Sequence, residues 1–171
     1  MKTIIPKDFL EKINVGKVLR YGIYMLVLLV LQNIIFTQLR ILGVCPLVLP
    51  AAAVAMGMFE GATWGPLFSL LMGIFADMAF IENSVFFTLA FPSISFAAAF
   101  VANFLINRRF VAYISAAVVG LLATAAGQLI KTATADTFSM VMVSTALLQT
   151  LWSVPFAVLA YFPPARWSRL E

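Results

Sequence analysis

The chain has 171 residues, 63% of them hydrophobic and 11% charged, with a formal net charge of +4. A soluble domain carries roughly 25% charged residues, so this composition points to lipid as the solvent, and the length allows at most about seven crossings of about 20 residues with no room for a soluble domain. The lack of His and the single Cys45 exclude the clustered imidazole and thiolate ligands of zinc, copper or iron sites and any internal disulfide, so no cofactor is expected.

Residues 1–20 hold five cations and two acids and have no apolar core. They read as a basic cytoplasmic arm rather than a signal peptide. Ile4, Ile5, Phe9, Leu10 and Ile13 give this arm an apolar face suited to a membrane surface, and Pro6 limits the helix at its start. The surplus positive charge is matched to anionic lipid and does not require nucleic acid.

Beyond the arm, long apolar runs separated by charged or turn-prone breaks predict an all-α membrane protein, one domain over 21–171 built as a bundle of six transmembrane helices. The helices are expected at about 21–39, 44–59, 64–81, 85–106, 111–130 and 140–162. The second is short and carries Pro46 and Pro50 near its start. Pro92 and Pro155 are expected to kink the fourth and sixth, and Pro163 with Pro164 to end the sixth.

Short cytoplasmic loops are enriched in Lys and Arg. With both termini cytoplasmic, the inner side receives Lys2, Lys7, Lys12, Lys17, Arg20, Arg108, Arg109, Arg166 and Arg169, leaving only Arg40 and Lys131 outside. A five-helix arrangement would put the basic carboxyl-terminal end on the wrong side.

The third predicted helix carries the clearest pattern. Gly61, Gly65, Ser69, Gly73 and Asp77 recur every four residues, a stripe of small side chains that lets another helix approach closely, either within the bundle or from a partner. Asp77 is the one acid expected well inside a helix, where a charge must face protein or a water-filled cavity. Arg40, Gln128 and Lys131 fall at a similar depth and are its candidate partners, the alternative being an interfacial acid that reaches water. Gln32, Asn33, Asn103, Gln128 and Gln149 can hydrogen-bond between helices. With no His, no Gly-rich phosphate loop and no paired carboxylates, the sequence points away from an enzyme.

Three ordered segments, LRYGIYMLVLLVLQN, LGVCPLVLP and AMGMFEGATWGPLFSLLMGIFADM, resemble the rod-shape-determining MreD family, with Gly61, Gly65, Gly73 and Asp77 at the positions of its glycine-spaced helix and closing Asp. The resemblance implies a non-enzymatic scaffold in the bacterial plasma membrane. Such a scaffold binds a single-span protein such as MreC and works alongside the actin-like MreB filament and peptidoglycan synthases. A vitamin-binding membrane subunit of an energy-coupling-factor transporter is the alternative. Those subunits show small residues spaced four apart on the first helix, where this chain has Leu, Val and Ile with Gly22 as the only small residue.

Overall fold

The computed structural model describes residues 15–40, 43–79, 85–104, 110–134 and 139–167. The arm over residues 1–14, Arg108, Arg109 and Arg169 lie outside the described residues. All the described elements are helical: α1 (Val15–Val30), continued by a π-helical stretch Leu31–Phe36, then α2 (Leu49–Ala79), α3 (Phe86–Phe104), α4 (Phe110–Thr134) and α5 (Met140–Trp167). Four of them, α1 with its extension, α2, α4 and α5, are long and apolar enough to cross a membrane, and α3 is a shorter apolar helix. The protein is therefore a multi-pass membrane protein by the length and composition of its helices.

The structure corrects several predicted boundaries. Helix α1 starts at Val15, so Lys17 and Arg20 belong to it rather than to the arm. The expected helix over 44–59 begins only at Leu49: Pro50 lacks the N–H that would bond the Pro46 carbonyl in an earlier start, and Pro46 disfavours a helical conformation at Cys45. Its C-terminal end and the expected third helix are joined in α2 through a single residue, Gly61, with φ 79° and ψ −173°. That conformation is open to glycine and strained for any residue with a Cβ.

At Gly61 the chain folds back. Residues eight apart in a continuous α-helix are separated by about 12 Å, yet a Cβ on Gly65 would lie 2.7 Å from the Gly57 Cα. Further along, the Ser69 hydroxyl lies 3.9 Å from the Met56 sulfur, thirteen positions earlier in the chain. The two arms of α2, 49–60 and 62–79, thus form a tight helical hairpin.

The first arm is the centre of the molecule. Every residue from Leu49 to Phe59 is buried. Ala51, Ala52, Ala53, Ala55 and Gly57 keep its surface thin, so neighbouring helices reach its backbone. A Cβ on Gly57 would collide with the backbone of Ser95 in α3, and one on Gly120 in α4 would stand 2.8 Å from Val54. Tyr113 of α4 donates its hydroxyl to the Ala51 and Ala157 carbonyls at 3.2 and 2.8 Å, joining α4 to α2 and α5.

An arm of twelve residues is about 18 Å long, well short of a hydrocarbon core of about 30 Å. Its leading segment is therefore buried in protein, and side chains of other helices supply the bonds that water cannot. Ser153 accepts from the Leu47 N–H at 2.7 Å, and the Gln32 carbonyl oxygen accepts from the Val48 N–H at 3.0 Å. The Gln32 amide also donates to the Pro46 carbonyl at 2.9 Å, the acceptor that the missing N–H of Pro50 leaves open. The wider π-helical turn at 31–36 is where Gln32 is buried, next to the exposed Asn33.

Helix α5 also departs from expectation, running through Pro163 and Pro164 to Trp167 instead of stopping at residue 162. Pro164 cannot donate to the Ala160 carbonyl, and the hydroxyl of Tyr24 in α1 takes that place at 2.8 Å. The same contact ties α1 to α5, reinforced by edge-on packing of Tyr21 against Trp167 at 5.2 Å and of Phe36 against Phe156 at 5.1 Å.

Candidate functional site

The stripe on the second arm of α2 is occupied by the chain itself. Gly61 makes the turn, Gly65 meets Gly57 on the first arm, Ser69 is buried beside Met56, and Gly73 lies under the first turn of α3. A Cβ at Gly73 would come within 2.5 Å of the Phe87 carbonyl oxygen and 2.8 Å of the Thr88 Cα. Close approach is what the small residues provide, and the helices that approach are α3 and the other arm of α2. From Gly65 to Gly73 the stripe is a packing surface of the bundle.

Asp77 ends the stripe as a cap. Its Oδ1 accepts from the Phe87 N–H at 3.1 Å, and its Oδ2 accepts from the Thr88 N–H and the Thr88 hydroxyl, both at 2.7 Å. The first N–H groups of any helix lack intrahelical partners and present a partial positive charge, so a carboxylate is well matched to them. This finding replaces the expected pairing of Asp77 with Arg40, Gln128 or Lys131. The start of α3, one connection away, engages both oxygens, while Arg40 donates to the Thr37 carbonyl of its own segment at 3.1 Å. Lys131 lies half-buried in the last turn of α4.

A second acid was not expected in the interior. Glu60, assigned by sequence to the break between the second and third helices, has a side chain only 2% exposed and forms an ion pair with Lys17, whose side chain is 18% exposed. Tyr21 donates its hydroxyl to the other carboxylate oxygen. Aromatic rings enclose the cluster: Tyr21 stacks on Phe68 at 4.8 Å, and Trp64 stacks on Phe68 at 5.9 Å. Glu60 immediately precedes the turn glycine, so the turn that brings the arms together also carries the carboxylate to α1. The available signal was a lone acid, flanked by glycine and aromatic residues, on the side where the Lys-bearing first helix begins.

At the opposite end, α4, α5 and the 43–45 segment line an open-sided cavity of about 430 Å³. Gln128, Leu129 and Thr132 line it from α4, Met142, Thr145 and Gln149 from α5, and Cys45 from the connecting segment. The Thr132 hydroxyl donates to the Gln128 and Leu129 carbonyls and the Thr145 hydroxyl to the Met142 carbonyl, so these donors are used locally. Gln128 and Gln149 differ. Among the described residues neither side-chain amide has a hydrogen-bond partner, and both also face a narrow extension that reaches Ser153. Gln128 thus lines a cavity, and its amide makes no hydrogen bond to Asp77.

Among the described residues no group of three or more His, Cys, Asp or Glu side chains is placed to hold a metal ion. No family model, curated protein or solved structure matches the chain.

Proposed function

We propose that the protein is a non-enzymatic scaffold of the bacterial plasma membrane. It crosses the bilayer six times with both termini in the cytoplasm, and it serves cell elongation by binding a single-span partner such as MreC, with MreB and peptidoglycan synthases as indirect partners. The observation that carries the non-catalytic reading is the use of Glu60 and Asp77. Both are committed to holding helices together, one through Lys17 and Tyr21 and the other through the start of α3. Six crossings fit the hairpin, since each arm of α2 then traverses part or all of the bilayer in opposite directions.

With the glycine stripe internal, a partner helix would use an exposed apolar face. On α1 and its π-helical extension, Leu19, Ile23, Leu26, Val27, Val30 and Ile34 are exposed. Depletion followed by microscopy tests this reading: cells should lose rod shape and uniform width, and a single-span shape protein should co-purify with the full chain. Cells that keep their dimensions after depletion would overturn it. A substrate-binding subunit of an energy-coupling-factor transporter is the second reading, favoured by the cavity at Gln128 and Gln149. It predicts that a supplied vitamin, and not restored cell-wall synthesis, reverses the effect of depletion.

A further inference from the structure

The amides of Gln128 and Gln149 come from two different helices and face one space. Gln128 lies six residues from the end of α4 and Gln149 nine residues from the start of α5, about 9 and 14 Å along the helix axes. Both lie within helices long and apolar enough to cross a membrane, and polar groups without partners persist in such spans where they line a cavity that something polar enters. Each amide offers donors and an acceptor, and a hydroxyl likewise gives and accepts through one atom, so neighbouring hydroxyls match a primary amide on both counts. Among the described residues, none that lines the cavity is charged. An ionic ligand would meet no counter-charge among these residues to offset the hydration it gives up, so an uncharged one is the better match. The remaining wall, Val44, Ala125, Leu129, Met142 and Ala146, is apolar, and a volume of about 430 Å³ falls in the range of about 300–1,000 Å³ usual for small-molecule sites.

We propose that the cavity between α4, α5 and the 43–45 segment binds an uncharged, hydroxyl-bearing ligand, read by Gln128 and Gln149 and supplied either as the head of an amphiphile or free in solution. The site stands independently of the scaffold reading, because it shares no residue with the hairpin or with the exposed face of α1.

Cys45 is the only cysteine of the chain and lines the cavity, so its alkylation reports occupancy without any engineered label. The full chain in phospholipid nanodiscs is treated with a charged, water-soluble maleimide, and the labelling rate is followed with octyl glucoside below its micellar concentration, octyl sulfate or glucose present. Octyl glucoside at about ten times its dissociation constant should slow labelling about elevenfold, and octyl sulfate should leave the rate unchanged. Slowing by glucose as well assigns a soluble ligand; slowing by the glucoside alone assigns an amphiphile. Gln128→Leu and Gln149→Leu should each weaken the protection about tenfold, with the shortened Gln149→Asn between them and the wild type. The proposal is overturned if octyl sulfate protects as well as octyl glucoside, if neither hydroxyl-bearing probe protects, if both Leu variants keep full protection, or if Cys45 of the untreated protein does not react.

Discussion

Replacing Asp77 separates a helix cap from a charge pair. Asp77→Ala removes the acceptor of two backbone N–H groups and one hydroxyl, at 3.1, 2.7 and 2.7 Å. Loss of a capping side chain costs about 0.5–2 kcal/mol, and a buried donor left without an acceptor costs about 1–3 kcal/mol. The carboxylate is half-buried, so water recovers part of the loss, and the expected destabilisation is about 2 kcal/mol. Asp77→Asn keeps one acceptor oxygen and should lose about 1 kcal/mol. Thr88→Val removes a partner of the same carboxylate, so the double variant Asp77→Ala/Thr88→Val should fall short of additivity by at least about 0.5 kcal/mol. Asp77→Ala/Lys131→Ala should be additive within about 0.5 kcal/mol. Reversible unfolding in mixed micelles, titrated with dodecyl sulfate and followed through the tryptophans, gives each value. Equal damage from Asn and Ala, together with strong coupling to Lys131, would refute capping and restore the ion pair.

Three further outcomes follow from the contacts described, each measurable by the same unfolding titration. Tyr24→Phe leaves the Ala160 carbonyl without its donor and should cost about 1–2 kcal/mol; Pro164→Ala restores a backbone N–H, so the double variant should recover part of the loss, and a Tyr24→Phe variant as stable as wild type would remove the hydroxyl's assigned role. Gly57→Ala forces the first arm of α2 away from α3 and should cost about 1–3 kcal/mol or more, while Gly22→Ala, where an added Cβ meets nothing within 4 Å, should be neutral or favourable by up to about 1 kcal/mol; similar effects at the two sites would argue against close packing at Gly57. Lys17→Met strands the Glu60 carboxylate and should cost about 3 kcal/mol, whereas Lys17→Met/Glu60→Gln should regain most of it; a double variant worse than the single one would show that the ion pair itself contributes the stability.

The helical class, the apolar segments and the small-residue stripe were legible because periodicity and hydropathy are local properties. Gly61, Gly65, Ser69 and Gly73 could be named from spacing alone, although spacing does not say which helix lies against them. Asp77 could be singled out as an acid in an apolar run, yet its partners are backbone groups of Phe87 and Thr88, and every sequence offers backbone N–H groups, so no residue type pointed to them. Glu60 escaped for a geometric reason: a loop of several residues was expected where one glycine suffices, and an acid in a loop carries no cost. The last helix was expected to stop at Pro163 because a proline removes a donor, but the donor is replaced from α1 by Tyr24, more than a hundred positions away. By type and position Gln128 and Gln149 suit hydrogen bonds between helices, and only the arrangement of α4 against α5 shows both lining one cavity.

The buried first arm of α2 also sets the order in which the protein can be completed during synthesis. Its leading N–H at Leu47 is satisfied by Ser153, 106 residues downstream, and its carbonyl at Ala51 takes a further bond from Tyr113, 62 residues downstream. Until α5 has left the ribosome, this short segment has neither the length to stand alone in lipid nor its full set of bonding groups. The hairpin must therefore wait, shielded at the insertion machinery or loosely placed in the bilayer, and the final helix closes the centre. A ribosome stalled before residue 153 would leave the innermost part of the protein unfinished.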